Sequence, residues 1–411
     1  MHKACNIAAI PYSLSLLKTY NLQPTTYNIQ DTTMTKNWLI TGGCGFIGTA
    51  LISSILQENP GARIRVLDNL SGGSREDLAR ICEFDEITQD KLAPDFGASL
   101  ESSGVELLQG DIRDATLTRD AARGMDCIVH LAANTGVGPS VEDPVKDMQS
   151  NVQGTLNMLE AARKHSVDAF IFASSSAPVG ETEPPVHEEI APHPVSPYGA
   201  SKLAGEGYCS AYYRTFGVNT VALRFGNVYG PGSTHKSSVV AKFIKQALQG
   251  ETCVIYGDGT QTRDFIYIDD LVRAIIKAAT YQPPQNKFEI RNSKFENFGE
   301  TQKPTITDYR ATSTDKWHEE PWGEIFQIAT NKEHTVNEMA EMLSSQLQRH
   351  GINMNLEHGD PMVGDILRNY SDTSKAYRIL GWEFEMELPD GLARTVDWFL
   401  AQSPDKLQNK R

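Results

Sequence analysis

The chain has 411 residues, of which 40% are hydrophobic and 22% charged, so it can bury a full core and does not have the composition of a disordered protein. Its formal net charge is -14 and its Lys and Arg residues form no long run, which argues against a broad surface for nucleic acid or an anionic membrane. The 6 cysteines contain no Cys-x-x-Cys pair, and apolar runs are too short to span a bilayer, so we expect a cytoplasmic protein with reduced thiols.

The first 36 residues stand apart from the rest of the chain. They contain Pro11 and Pro24, lack a clear amphipathic period, and are followed by a first clear strand just after Met34. Pro11 and Ser13 interrupt the apolar part that a secretory signal would need. We therefore predict that residues 1–36 are a disordered extension or result from a start codon placed too early.

Short apolar runs alternate with helical stretches from Trp38 to Phe225. The predicted strands are 38–41, 64–68, 105–111, 127–133, 169–176 and 220–225, and the predicted helices are 46–57, 145–165 and 197–214. Fully apolar strands separated by helices indicate a parallel sheet covered on both faces. The sequence therefore predicts a doubly wound α/β fold.

The regular alternation ends near residue 228, where shorter elements rich in Gly, Pro and charge begin. The expected regions are a sheet domain over 37–227, to which some later segments return, a smaller lobe mainly over 228–400, and a tail over 401–411. Two polar segments without a sustained period, 83–104 and 283–322, are predicted to be inserted surface excursions. The 10 histidines show no ligand spacing, so no metal site is expected.

A glycine-rich turn, GGCGFIG, follows the first predicted strand and places Gly42, Gly45 and Gly48 at the start of a helix. Glycines allow a tight turn there and bring backbone N–H groups close to a pyrophosphate at the helix N-terminus. Asp68 ends the next strand, where a carboxylate binds the adenosine ribose hydroxyls and repels a 2′-phosphate. The pattern predicts a site for NAD rather than NADP. Asp111 closes the third strand, from where it reaches the adenine amino group or caps the next helix.

Tyr198 and Lys202 lie four residues apart on a predicted helix and therefore share one face. An unperturbed tyrosine titrates near pH ~10, so a phenolate base at neutral pH needs a pKa shift of about three units. A nearby lysine and a positively charged nicotinamide ring have the sign that this shift requires. Three serines, 174–176, end the preceding strand at the edge of the sheet where ligands bind.

Further motifs occur in a fixed order along the chain. They are HLAA (130–133), NVQGTLNMLEAA (151–162), SSS (174–176), YGASK (198–202), RFGNVYGPG (224–232), RDFIYIDDL (263–271), GW (381–382) and GLARTVDWF (391–399). Together with the glycine turn and Asp68, they resemble the extended short-chain dehydrogenase/reductases, specifically the NAD-dependent nucleotide-sugar epimerase/dehydratase group. The resemblance implies a Rossmann domain, a smaller C-terminal lobe that binds a nucleoside-diphosphate sugar, and a homodimer built on a helix pair.

Carried onto this chain, the resemblance makes Tyr198 the general base, Lys202 the ribose-binding residue that lowers its pKa, and Ser176 the hydroxyl partner of the sugar O4. The implied cofactor-binding residues are Gly42, Gly45, Phe46, Ile47, Gly48, Asp68, Asn69, Asp111, Ile112, Leu131, Ala132, Ala133, Asn151, Tyr198, Lys202 and Phe225. The implied substrate-binding residues are Ser176, Asn227, Arg263 and Arg368, the last as a replacement for an arginine that the family carries where this chain has Met362.

The reactions of this family begin when the tyrosine takes a proton from a sugar hydroxyl while hydride leaves for NAD. Similar dehydratases carry an Asp-Glu pair directly after the Ser/Thr, and decarboxylases carry a Glu two residues after it. This chain has Ala177 and Pro178 there. The sequence therefore favours 4-epimerisation of a UDP-sugar through a transient 4-keto intermediate. The alternatives are a dehydratase, decarboxylase or reductase of the same family, and a non-catalytic NAD-binding sensor.

Overall fold

The computed structural model describes residues 37–92, 104–235, 238–282, 320–361 and 367–402. The predictions for 1–36, for most of 283–322 and 401–411, and for position 362 concern residues outside these ranges. The strands are β1 (Asn37–Thr41), β2 (Arg63–Asp68), β3 (Asp85–Ile87), β4 (Val105–Gln109), β5 (Cys127–His130), β6 (Ala169–Ser175), β7 (Thr220–Phe225), β8 (Asn227–Tyr229), β9 (Cys253–Tyr256), β10 (Thr262–Arg263), β11 (Phe265–Tyr267), β12 (Glu324–Ile328), β13 (His334–Thr335) and β14 (Leu356–Gly359). The helices are α1 (Phe46–Glu58), α2 (Arg75–Ala79), α3 (Ala115–Ala121), α4 (Val137–Glu142), α5 (Pro144–Met148), α6 (Gly154–His165), α7 (Pro197–Phe216), α8 (Val239–Gln249), α9 (Ile268–Ala279), α10 (Val336–Gln348), α11 (Ser374–Leu380) and α12 (Leu388–Leu400).

Eight parallel strands form the central sheet in the order β12-β7-β6-β5-β1-β2-β4-β3. Strand β1 is the first along the chain yet lies inside the sheet, paired on one side with β2 and on the other with β5. The strand order therefore reverses between β1 and β5. In open α/β sheets, the carboxyl ends of the strands beside such a reversal border the ligand crevice.

Both faces of the sheet are buried, as the apolar strands predict. Leu39 and Ile128 pack into one hydrophobic cluster, whereas their chain neighbours Ile40 and Val129 pack into the other. Successive side chains of a strand point to opposite faces, so helices must cover both sides. The predicted doubly wound parallel fold is confirmed.

The two edges of the sheet contain segments that the sequence pattern did not resolve. Strand β3 lies within 83–104, which was predicted to be a surface excursion, and pairs in parallel with β4. The prediction is wrong for these three residues, because so short a strand carries no measurable period. At the other edge, β12 follows the second polar segment and pairs with β7.

The predicted helix 145–165 is divided in the structure. A π-helical turn, Gln149–Gln153, separates α5 from α6. Beyond β7, three two-stranded sheets form: β10 with β13, β8 with β11, and β9 with β14. Among the described helices, none combines the length and apolarity that crossing a bilayer requires.

Candidate active site

The glycine turn joins β1 to α1, and it packs the first turn of α1 closely against the backbone that follows β1. Gly42 has a φ of 71°, and a Cβ on Gly48 would lie 2.5 Å from the Gly42 carbonyl oxygen. Gly45 is the N-cap of α1, and no side chain caps that terminus. The helix N-terminus therefore presents backbone rather than side chains, which suits a bound phosphate.

Asp68 ends β2 beside this turn and is buried. Its Oδ2 accepts a hydrogen bond from the Cys44 backbone N–H at 3.0 Å, and its Oδ1 accepts one from the Leu70 N–H at 2.8 Å. Burial raises the pKa of the carboxyl above its ordinary value, while the two N–H donors oppose that rise. The predicted ribose-binding carboxylate is thus fixed in orientation at the end of its strand.

Asp111 lies at the adjacent corner of the crevice. The Arg113 guanidinium donates to both of its carboxylate oxygens, at 3.0 and 2.8 Å, and the Arg113 backbone N–H donates at 2.9 Å. Asn69 donates a fourth hydrogen bond at 3.3 Å. The hydrogen bonds from Arg113 are the main cause that lowers the pKa of Asp111 to about 2. The suggested role as a helix cap is wrong, because Asp114 caps α3 by accepting from the Thr116 and Leu117 N–H groups.

A cavity of about 1390 Å³ runs along the carboxyl ends of the strands. Every residue predicted to bind the cofactor lines this cavity except Asn151. The buried Asn151 lies behind the wall, where its side chain exchanges hydrogen bonds with the Asn134 main chain and reaches Ser201 Oγ at 3.0 Å. Gly72, Gly73 and Arg113 also line the cavity and were not predicted from the sequence, although the Gly-Gly pair after Asp68 is a recognisable turn signal.

The half-buried Tyr198 lies in the first turn of α7, whose N-cap Ser196 accepts from the Gly199 N–H. Burial raises the pKa of Tyr198 to about 12, opposed by a hydrogen bond with the Ser175 side chain. Ser175, like Tyr198, lines the cavity, whereas Ser176 does not. Ser176 was predicted to be the hydroxyl partner, but the structure brings Ser175 to the phenol.

Lys202 lies one helical turn after Tyr198 and is buried. Its Nζ donates to the Ala173 carbonyl oxygen at 2.8 Å and lies 4.9 Å from the Phe172 ring centroid. The same Nζ is 5.9 Å from the centre of the Tyr198 ring. Burial lowers the pKa of Lys202 to about 8. The expected lowering of the Tyr198 pKa is not seen, because burial of the phenol dominates.

A buried ion pair lies one further turn along the same helix face. Glu206 accepts two hydrogen bonds from Arg224, at 2.8 and 2.7 Å, and one from Ser174 Oγ at 2.6 Å. Arg224 and Glu206 are 2% and 1% exposed. The pair ties α7 to β6 and β7, so it holds the tyrosine helix against the strand that carries Ser175.

The three other residues predicted to bind substrate lie outside the cavity wall. Asn227 is exposed and pairs through its backbone N–H with the Asp264 carbonyl oxygen at 2.8 Å. Arg263, on β10, faces His334 across the antiparallel pair with β13 and donates to the Thr262 carbonyl oxygen.

Arg368 forms a bidentate pair with Glu333 at 2.8 Å for both contacts. Thr262 also donates to Glu333, so these three residues form one group. Arg368 is therefore engaged by Glu333, and its neighbour Asn369 lies beside Thr262, the residue that precedes Arg263 on β10.

The cavity fits a dinucleotide in its chemistry as well as in its volume. An uncapped helix N-terminus suits the pyrophosphate, and the buried carboxylate of Asp68 suits ribose hydroxyls. Lys202, Tyr198 and Phe225 line the same cavity. The residues that would hold NAD are therefore those of the glycine turn, Asp68 and Lys202.

Comparison with known proteins identifies the same family as the sequence motifs, over most of the chain. Residues 38–290 match the model of the NAD dependent epimerase/dehydratase family. A UDP-glucose 4-epimerase of Mycolicibacterium smegmatis is 30% identical over 370 residues, which are 89% of this chain and 99% of that protein.

Two solved structures are similar as well. The UDP-glucose 4-epimerase of Thermotoga maritima with UDP-glucose has a TM-score of 0.68 and 30% identity, covering 89% of this chain and 98% of that one. The UDP-glucuronic acid 4-epimerase of Bacillus cereus in complex with UDP-glucuronic acid and NAD has a TM-score of 0.68 and 27% identity, covering 89% and 97%. The family resemblance and the NAD cofactor predicted from the sequence are confirmed, and the chain belongs to the NAD-dependent epimerase/dehydratase family.

Proposed function

We propose that the chain catalyses epimerisation at C4 of a UDP-sugar, with Tyr198 as the general base. The observation that carries this proposal is the position of the Tyr198 phenol at the cavity wall beside the Ser175 side chain, followed by Lys202 on the same helix face. The similar proteins named above are 4-epimerases of UDP-glucose or UDP-glucuronic acid, which supports the same reaction here.

The phenol must lose its proton to act as a base. Moving its pKa from about 12 to near 7 requires about 7 kcal/mol of preferential stabilisation of the phenolate. Ser175 supplies a hydrogen bond to the phenolate, and the Lys202 ammonium supplies a positive charge. NAD, when bound, supplies a cationic ring and the site that accepts and returns hydride.

Lys202 is built to remain in place while it carries this charge. Its Nζ is held by the Ala173 carbonyl oxygen and by the face of the Phe172 ring. Its pKa of about 8 keeps most of the molecules charged at pH 7. The ammonium can therefore orient a ribose hydroxyl and stabilise the phenolate without a change of rotamer.

The residues after the serines favour epimerisation over dehydration. Elimination of water requires an acid that protonates the leaving hydroxyl. Ala177 and Pro178 carry no proton donor, and the Ala177 N–H is already donated to Ser175 Oγ at 3.0 Å. Epimerisation needs only one residue that removes and returns the hydroxyl proton, and Tyr198 meets that need.

On the substrate side, Arg263 is the residue proposed to bind the diphosphate, with Asn227 beside it on the neighbouring strand pair. A planar guanidinium matches phosphate oxygens, and a dianionic substrate entering a chain of net charge -14 needs a local cation. Arg368 contributes only if the diphosphate replaces Glu333, because its guanidinium is bound to that carboxylate.

A homodimer is also proposed, built on α4, α5 and α7. Val137, Val141, Val145 and Met148 are between 48% and 63% exposed on α4 and α5, although they are apolar. Both helices pack against α7, so the tyrosine helix would lie at the interface. We expect light scattering to give twice the chain mass, and the double variant Val141→Lys/Val145→Lys to give the mass of one chain. Val195→Lys, at an exposed loop valine, is the control.

The reaction is tested with purified holoenzyme and UDP-glucose, UDP-glucuronic acid and UDP-N-acetylglucosamine as separate substrates. We expect one of them to yield an isomer of unchanged mass, and Tyr198→Phe to abolish that conversion while NAD stays bound. Tyr377→Phe, which removes an exposed phenol on α11, is the matched control and should keep full activity. A product lighter by one water would indicate a dehydratase. A Tyr198→Phe variant as active as the wild type would exclude Tyr198 as the base.

A further inference from the structure

A buried carboxylate, Asp147, lies beside the helix that carries Tyr198 and Lys202. Asp147 is 1% exposed on α5, which packs against α7. Its Oδ1 accepts a hydrogen bond from Asn151 Nδ2 at 2.9 Å, but its Oδ2 has no hydrogen-bond partner within the described residues. Burying a carboxylate oxygen without a hydrogen-bond donor lowers the stability of the fold, so the presence of Asp147 at this position indicates a role other than stabilisation.

Hydrogen bonds link this carboxylate to the first turn of α7. Asn151 Nδ2, which donates to Asp147, also reaches Ser201 Oγ at 3.0 Å. Ser201 Oγ in turn donates to the Tyr198 carbonyl oxygen at 3.0 Å. Asn151 lies in the π-helical turn after α5, and such turns are frequent at functional sites. The carboxylate is therefore connected, through Asn151 and Ser201, to the Tyr198 carbonyl at the start of the Tyr198–Lys202 turn.

The charge of Asp147 also acts on both residues of that turn. It is the largest of the charge effects that raise the pKa of Lys202, and it raises the pKa of Tyr198 as well. The other titratable groups that face Lys202 are Glu206 and Cys209 on α7 and His130 on β5.

These other groups supply little net negative charge. Glu206 is paired with Arg224, burial raises the pKa of the Cys209 thiol, and burial lowers the pKa of His130 to about 3. Among the described groups around Lys202, Asp147 is thus the carboxylate that forms no salt bridge with another basic side chain.

We propose that Asp147 is a positioning residue of the active site, which orients the Tyr198–Lys202 turn through Asn151 and Ser201 and stabilises the Lys202 ammonium by its charge. The proposal rests on Tyr198 and Lys202 being the reactive pair, as in the proposed function. Removal of the negative charge makes it easier for both groups to lose a proton. Both limbs of the pH profile, set by Tyr198 and Lys202, should then move to lower pH.

The test compares Asp147→Asn with the wild type, both as holoenzyme. The asparagine keeps an oxygen for Asn151 and removes only the charge. The first readout is the ultraviolet absorbance of tyrosinate against pH, with Tyr198→Phe subtracted to isolate Tyr198, and it requires no turnover. The second is the pH profile of kcat for the UDP-sugar that is converted. Asp143→Asn, an exposed carboxylate that caps the same helix, is the control.

We expect the tyrosinate midpoint and both kcat limbs to fall by about one pH unit in Asp147→Asn and to stay fixed in Asp143→Asn. Unchanged midpoints in folded Asp147→Asn would overturn the proposal. If that variant does not fold, Asp147→Ser is measured in the same way. If neither variant folds and retains NAD, Asp147 serves folding alone, and the proposal is overturned. A shifted tyrosinate midpoint without epimerase activity would support the role of Asp147 and refute the proposed reaction.

Discussion

The buried pair of Arg224 and Glu206 offers a direct test of how the tyrosine helix is held. The substitution Glu206→Gln keeps the shape of the side chain, removes its charge, and turns an amide donor toward a guanidinium that is itself a donor. Three hydrogen bonds to the carboxylate are lost or weakened, and the Arg224 charge stays buried without compensation. Breaking one partner of a buried pair costs about 3–5 kcal/mol.

The assay is chemical unfolding of the holoenzyme, with the free energy of unfolding compared between variants. We expect Glu206→Gln to lose about 3–5 kcal/mol, and Glu206→Gln/Arg224→Met to recover at least about 2 kcal/mol of that, because the second change removes the stranded charge. Glu387→Gln breaks the exposed pair with Lys332 and should cost at most about 1 kcal/mol. A loss below about 1 kcal/mol for Glu206→Gln would refute this reasoning.

Three further outcomes follow from the cofactor side of the site. Gly48→Ala places a Cβ against the Gly42 carbonyl oxygen and should abolish NAD retention, measured as cofactor content after purification, whereas Gly207→Ala meets nothing within 4 Å and should retain it fully. Asp68→Asn removes the charge that repels a 2′-phosphate, so the ratio of Kd for NADP to Kd for NAD should fall at least about tenfold in calorimetry. Burial lowers the pKa of His130 to about 3 from an ordinary 6.5, so the unfolded chain binds the proton more tightly than the folded one. The free energy of unfolding should therefore fall by up to about 1.4 kcal/mol per pH unit as the pH drops from 6.5 to 3. The variant His130→Gln should flatten that dependence in unfolding measurements.

The sequence predicted those parts of the fold that depend on local residue patterns. The apolar runs fixed the strands of the sheet, and the glycine turn with Asp68 identified the cofactor site, because each depends on a few neighbouring residues. Strand β3 and the π-helical turn escaped prediction. The first has only three residues, and the second has the sequence QSNVQ, which contains no proline or glycine, so no residue inside it marks a break in the helix.

Which of the three serines contacts the Tyr198 phenol could not be predicted from the local sequence pattern. Ser174 points to Glu206, Ser175 to Tyr198, and Ser176 lies just after the strand. Which hydroxyl meets the phenol depends on where β6 ends and how the chain turns, including the bond from the Ala177 N–H to Ser175 Oγ. No property of three identical residues in sequence carries that information.

The role expected for Arg368 depended on a partner distant in sequence. A diphosphate clamp was predicted from its position near the C-terminus, yet its guanidinium is bound by Glu333, 35 residues away. Similarly, the value of Asp147 is visible only when α5 and α7 are packed together. Pairings of this kind follow from tertiary structure and not from local spacing.

The proposed reaction is tested most directly by the fate of hydrogen at C4. The holoenzyme is incubated with UDP-glucose, UDP-glucuronic acid and UDP-N-acetylglucosamine, each carrying deuterium at C4, and products are analysed by NMR and mass spectrometry. We predict that one substrate gives its C4 epimer with the deuterium still at C4 and the mass unchanged, and that Tyr198→Phe gives none. Deuterium found at another carbon, or a product that has lost water, would contradict 4-epimerisation.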